Sequence, residues 1–186
     1  MKERRIFIGS FINSPQLVDK FESLQKQLNE KNKIKWTRTP ANLHLTYKFI
    51  GKTPHQNIKK IEKFIGDKYK ELENLKLNIS GLNYFSRKGK PAVLYAGISG
   101  EDRNKLNQIQ QEIEDFLMEN GIVDKKEKKF NPHITLGRIK KVENDFYEIM
   151  DKNKEVDLGK ISDLKIEVIE SELSPEGALY KPLKLD

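Results

Sequence analysis

Two histidines in this chain open the same four-residue frame, His44-Leu45-Thr46-Tyr47 and His133-Ile134-Thr135-Leu136. Both frames lie in apolar, strand-like runs. Alternate side chains of a strand share a face, so each run presents an imidazole beside a hydroxyl. Two such strands meeting at one cleft would supply two proton carriers and two hydrogen-bond donors. That equipment suits displacement at phosphorus without a metal. An imidazole titrates near pH 6.5, so both protonation states are accessible at neutral pH. One ring can take a proton from an attacking water while the other gives one to the departing oxygen. Thr46 and Thr135 can donate to the non-bridging oxygens, whose charge grows in the transition state.

Arg138, five residues after His133, could bring a guanidinium fork to the same oxygens. Strict alternation places it on the opposite face, so it joins the site only if the strand bulges near Gly137. Lys48 shares the alternating face of His44 and Thr46, which makes it a phosphate-contact candidate. His55 has a plainer reading. Thr53-Pro54-His55-Gln56 resembles a capping box, which puts His55 in an exposed first helical turn without chemistry.

The elements that must position these groups can be read from periodicity. Arg4 to Phe11 reads as a strand. Ser14-Pro15 then starts a helix, with Leu17, Val18, Phe21, Leu24 and Leu28 at helical spacing. Trp36 and Pro40 lie in an approach segment before the first histidine strand, Leu43 to Ile50. A second helix carries Ile58, Ile61, Ile65, Tyr69 and Leu72. Strands follow over 75–79, continuing through 82–85, and over 92–98. A third helix spans about 102–120, ahead of the second histidine strand, Phe130 to Ile139. A short helix over 145–152 and strands over 164–169 and 178–185 complete the chain. The order strand, helix, histidine strand occurs twice, near 4–50 and near 92–139, with the histidines 89 residues apart. A duplication of this kind would set the two frames facing each other about a pseudo-twofold axis. Nothing resembling a linker divides the chain, and one domain over 1–186 is expected.

At 186 residues, with 36% hydrophobic content, nine Phe and six Tyr, the chain can bury a sizeable core. Cysteine is absent, which removes disulfides and thiolate catalysis. No apolar run is long enough to span a membrane, and the opening Met1-Lys2-Glu3-Arg4-Arg5-Ile6-Phe7-Ile8 is too brief for a signal peptide, so a cytoplasmic location is expected. The net charge of +7 favours a polyanionic partner. The basic run Lys125-Lys126-Glu127-Lys128-Lys129 leads into the second histidine strand and could guide a phosphate chain toward it.

The frame Pro40-Ala-Asn-Leu-His44-Leu-Thr46-Tyr-Lys-Phe-Ile-Gly51 resembles the first signature of the two-histidine phosphoesterases. Phe130-Asn-Pro-His133-Ile-Thr135-Leu-Gly-Arg138 resembles the second. Similarity to the branch of RNA 2′,3′-cyclic phosphodiesterases, or 2′-5′ RNA ligase-like proteins, extends along nearly the whole chain. It takes in Arg5-Ile-Phe-Ile, the Trp36 segment, Phe85, Val93-Leu-Tyr-Ala-Gly97 and Ser171-Glu-Leu-Ser-Pro-Glu-Gly-Ala-Leu-Tyr180. The departure is Tyr47-Lys48, where the family more often has Leu and a variable residue.

The resemblance implies an α+β, bilobal fold. Two antiparallel sheets would be related by pseudo-twofold symmetry around a central cleft, with helices packed outside. It implies no metal and no cofactor. The implied reaction opens an RNA 2′,3′-cyclic phosphate to a 2′-phosphate, with His44 as general acid, His133 as general base, and Thr46, Thr135 and Arg138 holding the phosphate. Run in reverse, the site could join a 2′-phosphate-bearing substrate through a 2′-5′ linkage. Lys48, Trp36 and Phe85 would touch the RNA, and the protein would act as a monomer. Other readings are a different small cyclic phosphate or a 2′-5′ oligonucleotide as substrate. A non-catalytic RNA-end-binding module using Trp36, Tyr84 or Phe85 for stacking is a further one. A metallohydrolase ranks below these, because no acid sits at ligand spacing beside either histidine.

Overall fold

A computed structural model describes residues 3–28, 31–69, 72–126, 129–175 and 177–183. In chain order the elements are β1 (Arg4–Phe11), α1 (Pro15–Leu28), β2 (Lys33–Trp36), a 3₁₀ turn (Pro40–Asn42), β3 (His44–Thr53), α2 (His55–Lys68), β4 (Leu77–Arg87), β5 (Lys90–Ser99), α3 (Arg103–Glu119), β6 (His133–Lys141), α4 (Asn144–Lys152), β7 (Asp157–Ile161), β8 (Glu167–Ser174) and β9 (Gly177–Pro182). Every strand pairing among the described residues is antiparallel. No helix among the described residues is long and apolar enough to cross a membrane.

The strand order is β7-β4-β5-β6-β3-β1-β8-β9, with β2 alongside β6. The halves β9-β8-β1-β3 and β7-β4-β5-β6 run outward in the same sense from the β3–β6 seam. The unit β1-α1-β3 thus corresponds to β5-α3-β6, as the duplicated order of elements predicts. The two expected sheets meet at a single pairing, Leu45 with Ile134, and so form one curled sheet.

Burial follows the sequence pattern. Leu17, Phe21, Leu24 and Leu28 of α1, Ile58, Ile61 and Ile65 of α2, and Leu106, Ile109, Ile113 and Leu117 of α3 all face the sheet. They close over Ile6, Ile8, Leu45, Leu94, Ile134 and Leu136 in one continuous core. Ser14 caps α1 as its position predicts, accepting from the Leu17 N–H at 3.3 Å and donating to the Leu158 carbonyl at 2.8 Å. Two helices also reach across the halves: α1 packs on β7 and α3 on β3, while α2 packs on β8.

Three local expectations are corrected, and two strands are added. Thr53 closes β3 rather than capping α2; Pro54 takes the cap position, and the Thr53 hydroxyl donates to the Gly51 carbonyl. Leu72 lies beyond α2 and bridges Leu164, and the strand expected over 164–169 instead runs from Glu167 to Ser174. The short strands β2 and β7 went unrecognised, since four or five residues carry too little alternation to stand out. The strand expected over 178–185 is β9, Gly177–Pro182, and residues 184 and 185 lie outside the described residues.

Candidate active site

β3 and β6 bring the two frames together. With Leu45 paired to Ile134 in an antiparallel ladder, His44 lies across from Thr135, and Thr46 from His133. All four side chains line one cavity of about 490 Å³, which Arg138 also borders. Leu45 and Ile134, between them in sequence, are fully buried on the opposite face.

Each imidazole is oriented by its own strand entry. His44 Nδ1 lies 2.6 Å from the Asn42 carbonyl, and His133 Nδ1 lies 2.7 Å from the Asn131 carbonyl. A carbonyl oxygen only accepts, so Nδ1 carries the hydrogen in both rings and Nε2 is left to exchange protons in the cavity. The supporting asparagines are themselves fixed. Asn42 Nδ2 donates to the Ala178 carbonyl, and the Asn131 side chain accepts from Arg103.

Aromatic rings hold the imidazoles from the side. Phe7 and Tyr180 pack on His44 with centroids 4.8 and 4.7 Å away; Phe85 and Tyr95 pack on His133 at 4.8 and 5.3 Å. Burial among these rings disfavours the charged imidazole and lowers both pKa values below 6.5. The bonds to the Asn42 and Asn131 carbonyls oppose this, and the charge of His133 lowers His44 further.

A one-residue bulge at the last residue of each frame resets the alternation. On β3, Thr46 pairs with Gly9 and Lys48 with Ile8, leaving Tyr47 unmatched. On β6, Thr135 pairs with Tyr95 and Gly137 with Leu94, leaving Leu136 unmatched. Past its bulge, Arg138 returns to the cavity face; the bulge sits at Leu136, one residue before the glycine expected to permit it. The same device removes Lys48 from the cavity, contrary to the alternation argument. Its Nζ donates to Glu114 Oε1 at 2.6 Å, and both side chains are buried. Phe49 takes the place on the cavity wall instead, 45% exposed, with the Arg5 guanidinium 4.9 Å from its ring centroid.

The aromatic candidates for RNA contact divide. Trp36 borders the cavity while its ring packs edge-on against Phe21 at 5.6 Å. Phe85 stacks on Tyr95 at 4.3 Å and serves the His133 ring rather than presenting a free face. Tyr84 packs on Phe146 of α4. Within the basic run before β6, residues 127 and 128 lie outside the described residues; Lys126 is paired with Asp115. Lys35 and Arg38 were missed by the sequence reading, and Arg5, Phe7, Phe49 and Tyr180 entered it only within the resemblance. The repeat carried a signal for two of them. Phe7 lies 88 residues before Tyr95, and Phe49, like Arg138, follows its histidine by five. Among the described residues, no three His, Cys, Asp or Glu side chains converge to hold a metal ion.

A curled sheet with two His-x-Thr frames at its seam defines a two-histidine phosphoesterase. The model of the AKAP7 2′5′ RNA ligase-like domain matches residues 6–184, and the chain belongs to that family. A curated relative from Aquifex aeolicus, named RNA 2′,3′-cyclic phosphodiesterase, is 30% identical over 181 residues, covering 97% of this chain and 95% of its own. The crystal structure of TT0787 from Thermus thermophilus superimposes with a TM-score of 0.76 at 22% identity, over 97% of this chain and 95% of that one. Escherichia coli LigT complexed with 3′-AMP has the same fold, with a TM-score of 0.67 at 17% identity over 99% and 96% of the two chains.

Proposed function

We propose that this protein hydrolyses 2′,3′-cyclic phosphate ends of RNA to 2′-phosphomonoesters by paired imidazole acid–base catalysis. The observation that carries the reading is the matched seating of His44 and His133 across the seam. Each has its Nδ1 hydrogen committed to a backbone carbonyl and its Nε2 left for one shared cavity. The name of the Aquifex relative agrees with it.

In this mechanism His133, neutral in the free protein because burial lowers its pKa, removes a proton from water as the oxygen attacks phosphorus. The bond from phosphorus to O3′ breaks, and His44 in its imidazolium form delivers a proton to that oxygen. The arriving phosphate anion favours this charged form. Thr46, Thr135 and Arg138 donate to the non-bridging oxygens. The products are a free 3′-hydroxyl and a 2′-phosphate. An RNA 5′-hydroxyl replacing water would give a 2′-5′ linkage by the same motions. The partner is an RNA or oligonucleotide end, met by a monomer in the cytoplasm.

Incubation with 2′,3′-cyclic AMP in excess EDTA tests the proposal. Conversion to 2′-AMP is expected. A 3′-AMP product would reverse the assignment of leaving and retained oxygens, and absence of turnover both here and on an oligonucleotide ending in a 2′,3′-cyclic phosphate would remove the reading.

A further inference from the structure

The cation that contacts the reacting phosphate has an unusual neighbour. β2 pairs with β6 so that Lys35 stands directly opposite Arg138, and Lys33 opposite Lys141. Directly paired side chains on adjacent strands stand about 5 Å apart at Cβ, and like charges in that relation repel. In the outer pair Glu143 binds Lys141 and relieves the repulsion. In the inner pair, no acidic side chain among the described residues binds Lys35 or Arg138. Both line the cavity, together with Arg38 and Arg5, and the cavity wall has no Asp or Glu among the described residues.

Local structure holds these cations in place. Gly137 leaves room for β2, since a Cβ there would come 2.8 Å from Ile34 Cγ2. Beyond β2, Thr37 N–H donates to the Leu136 carbonyl at 2.8 Å and the Thr37 hydroxyl to the Thr135 carbonyl at 3.0 Å. This zips the chain onto β6 beside the second histidine frame, and Arg38 follows immediately. Lys35 extends across the cavity mouth toward Gly177 at the β8–β9 turn. A cyclic phosphate carries one negative charge, for which Arg138 and the two hydroxyls suffice. Arg5 is engaged over the Phe49 ring. Among the described residues, Lys35 and Arg38 face the cavity with no acidic side chain to answer them.

We propose that Lys35 and Arg38 form a second phosphate subsite, which binds the phosphodiester next to the terminal nucleotide and makes the preferred substrate an oligoribonucleotide rather than a free cyclic nucleotide. The inference rests on the cyclic phosphodiesterase reading and specifies its substrate class. Single-stranded binding of this kind releases counterions, with a salt slope of about 0.7 per phosphate contact.

The experiment compares 2′,3′-cyclic AMP with the dinucleotide ApA ending in a 2′,3′-cyclic phosphate, by kcat/KM across a salt series. The wild-type protein is expected to favour the dinucleotide at low salt and to lose that preference as salt rises. Lys35→Met and Arg38→Met should each cut the preference about fivefold, the size of one exposed charge-assisted contact. Lys33→Met, on the same strand outside the cavity, should keep it. Equal kcat/KM for both substrates in the wild type, or a preference unmoved by both cavity variants, overturns the subsite while leaving the phosphodiesterase reading intact. Failure to turn over either substrate overturns the phosphodiesterase reading, and the subsite with it.

Discussion

Phe49 and Arg138 occupy equivalent places in the two halves. Each follows its histidine by five residues, and each is carried onto the cavity wall by a one-residue bulge. The scaffold is nearly symmetric there, but the side chains are not: one wall offers an aromatic face, the other a guanidinium. Arg138→Ala is expected to lower kcat on 2′,3′-cyclic AMP by about 10²-fold, the scale of a lost transition-state donor. Arg138→Lys should recover only part, because an ammonium cannot reproduce the fork. Phe49→Ala should act mainly on KM, through loss of a stacking face. Steady-state kinetics separate the two, and an unchanged kcat in Arg138→Ala would contradict the assignment.

The roles of the two imidazoles are separable by leaving group. His44→Ala and His133→Ala should each lose about 10²- to 10⁴-fold on 2′,3′-cyclic AMP in EDTA. An aryl phosphodiester whose phenolate departs without a proton bypasses the general acid. On such a substrate His44→Ala should recover most of its deficit and His133→Ala should not. The opposite pattern would exchange the assignments.

The lowered histidine pKa values also predict a direction for stability. Above pH 6.5 both rings are neutral whether the chain is folded or unfolded, and they contribute no pH dependence. Below it the unfolded chain takes up protons first, so stability falls as pH drops from 6.5 through the lower folded-state values. Urea unfolding of the wild type should show this loss. A His44→Ala, His133→Ala double variant should show a flatter profile over the same window, and an identical slope would mean the burial of these rings is not felt.

Lys48 and Glu114 form a buried ion pair that ties β3 to α3. Removing one partner strands the other charge in the core. Lys48→Met should therefore cost about 3–5 kcal/mol by denaturant unfolding. Lys48→Met combined with Glu114→Leu should regain much of that loss. Additive losses would show that neither charge depends on the other.

The chemistry was more legible in the sequence than the geometry that delivers it. The His-x-Thr frames and the 89-residue repeat are local patterns, and alternation correctly sends each His and Thr to one face. Alternation failed one step later. The bulges at Tyr47 and Leu136 are set by how β1 and β5 pair with the histidine strands, and pairing is a long-range property that no single strand records. Lys48 and Arg138 were consequently read on each other's faces, although the need for a bulge before Arg138 was visible. β2 hid for a different reason. Four residues, two of them lysine, do not read as a strand until Gly137 opens a place for them beside β6.

The sheet holds together at its middle through one residue pair, yet α1 and α3 each lie partly on a strand of the other half. A cut through the chain between the repeats would leave α3 with a bare oily flank and β3 without its cover. Two fragments made that way are expected to stay unstructured or clump when apart, and to regain proton-transfer activity only on being mixed.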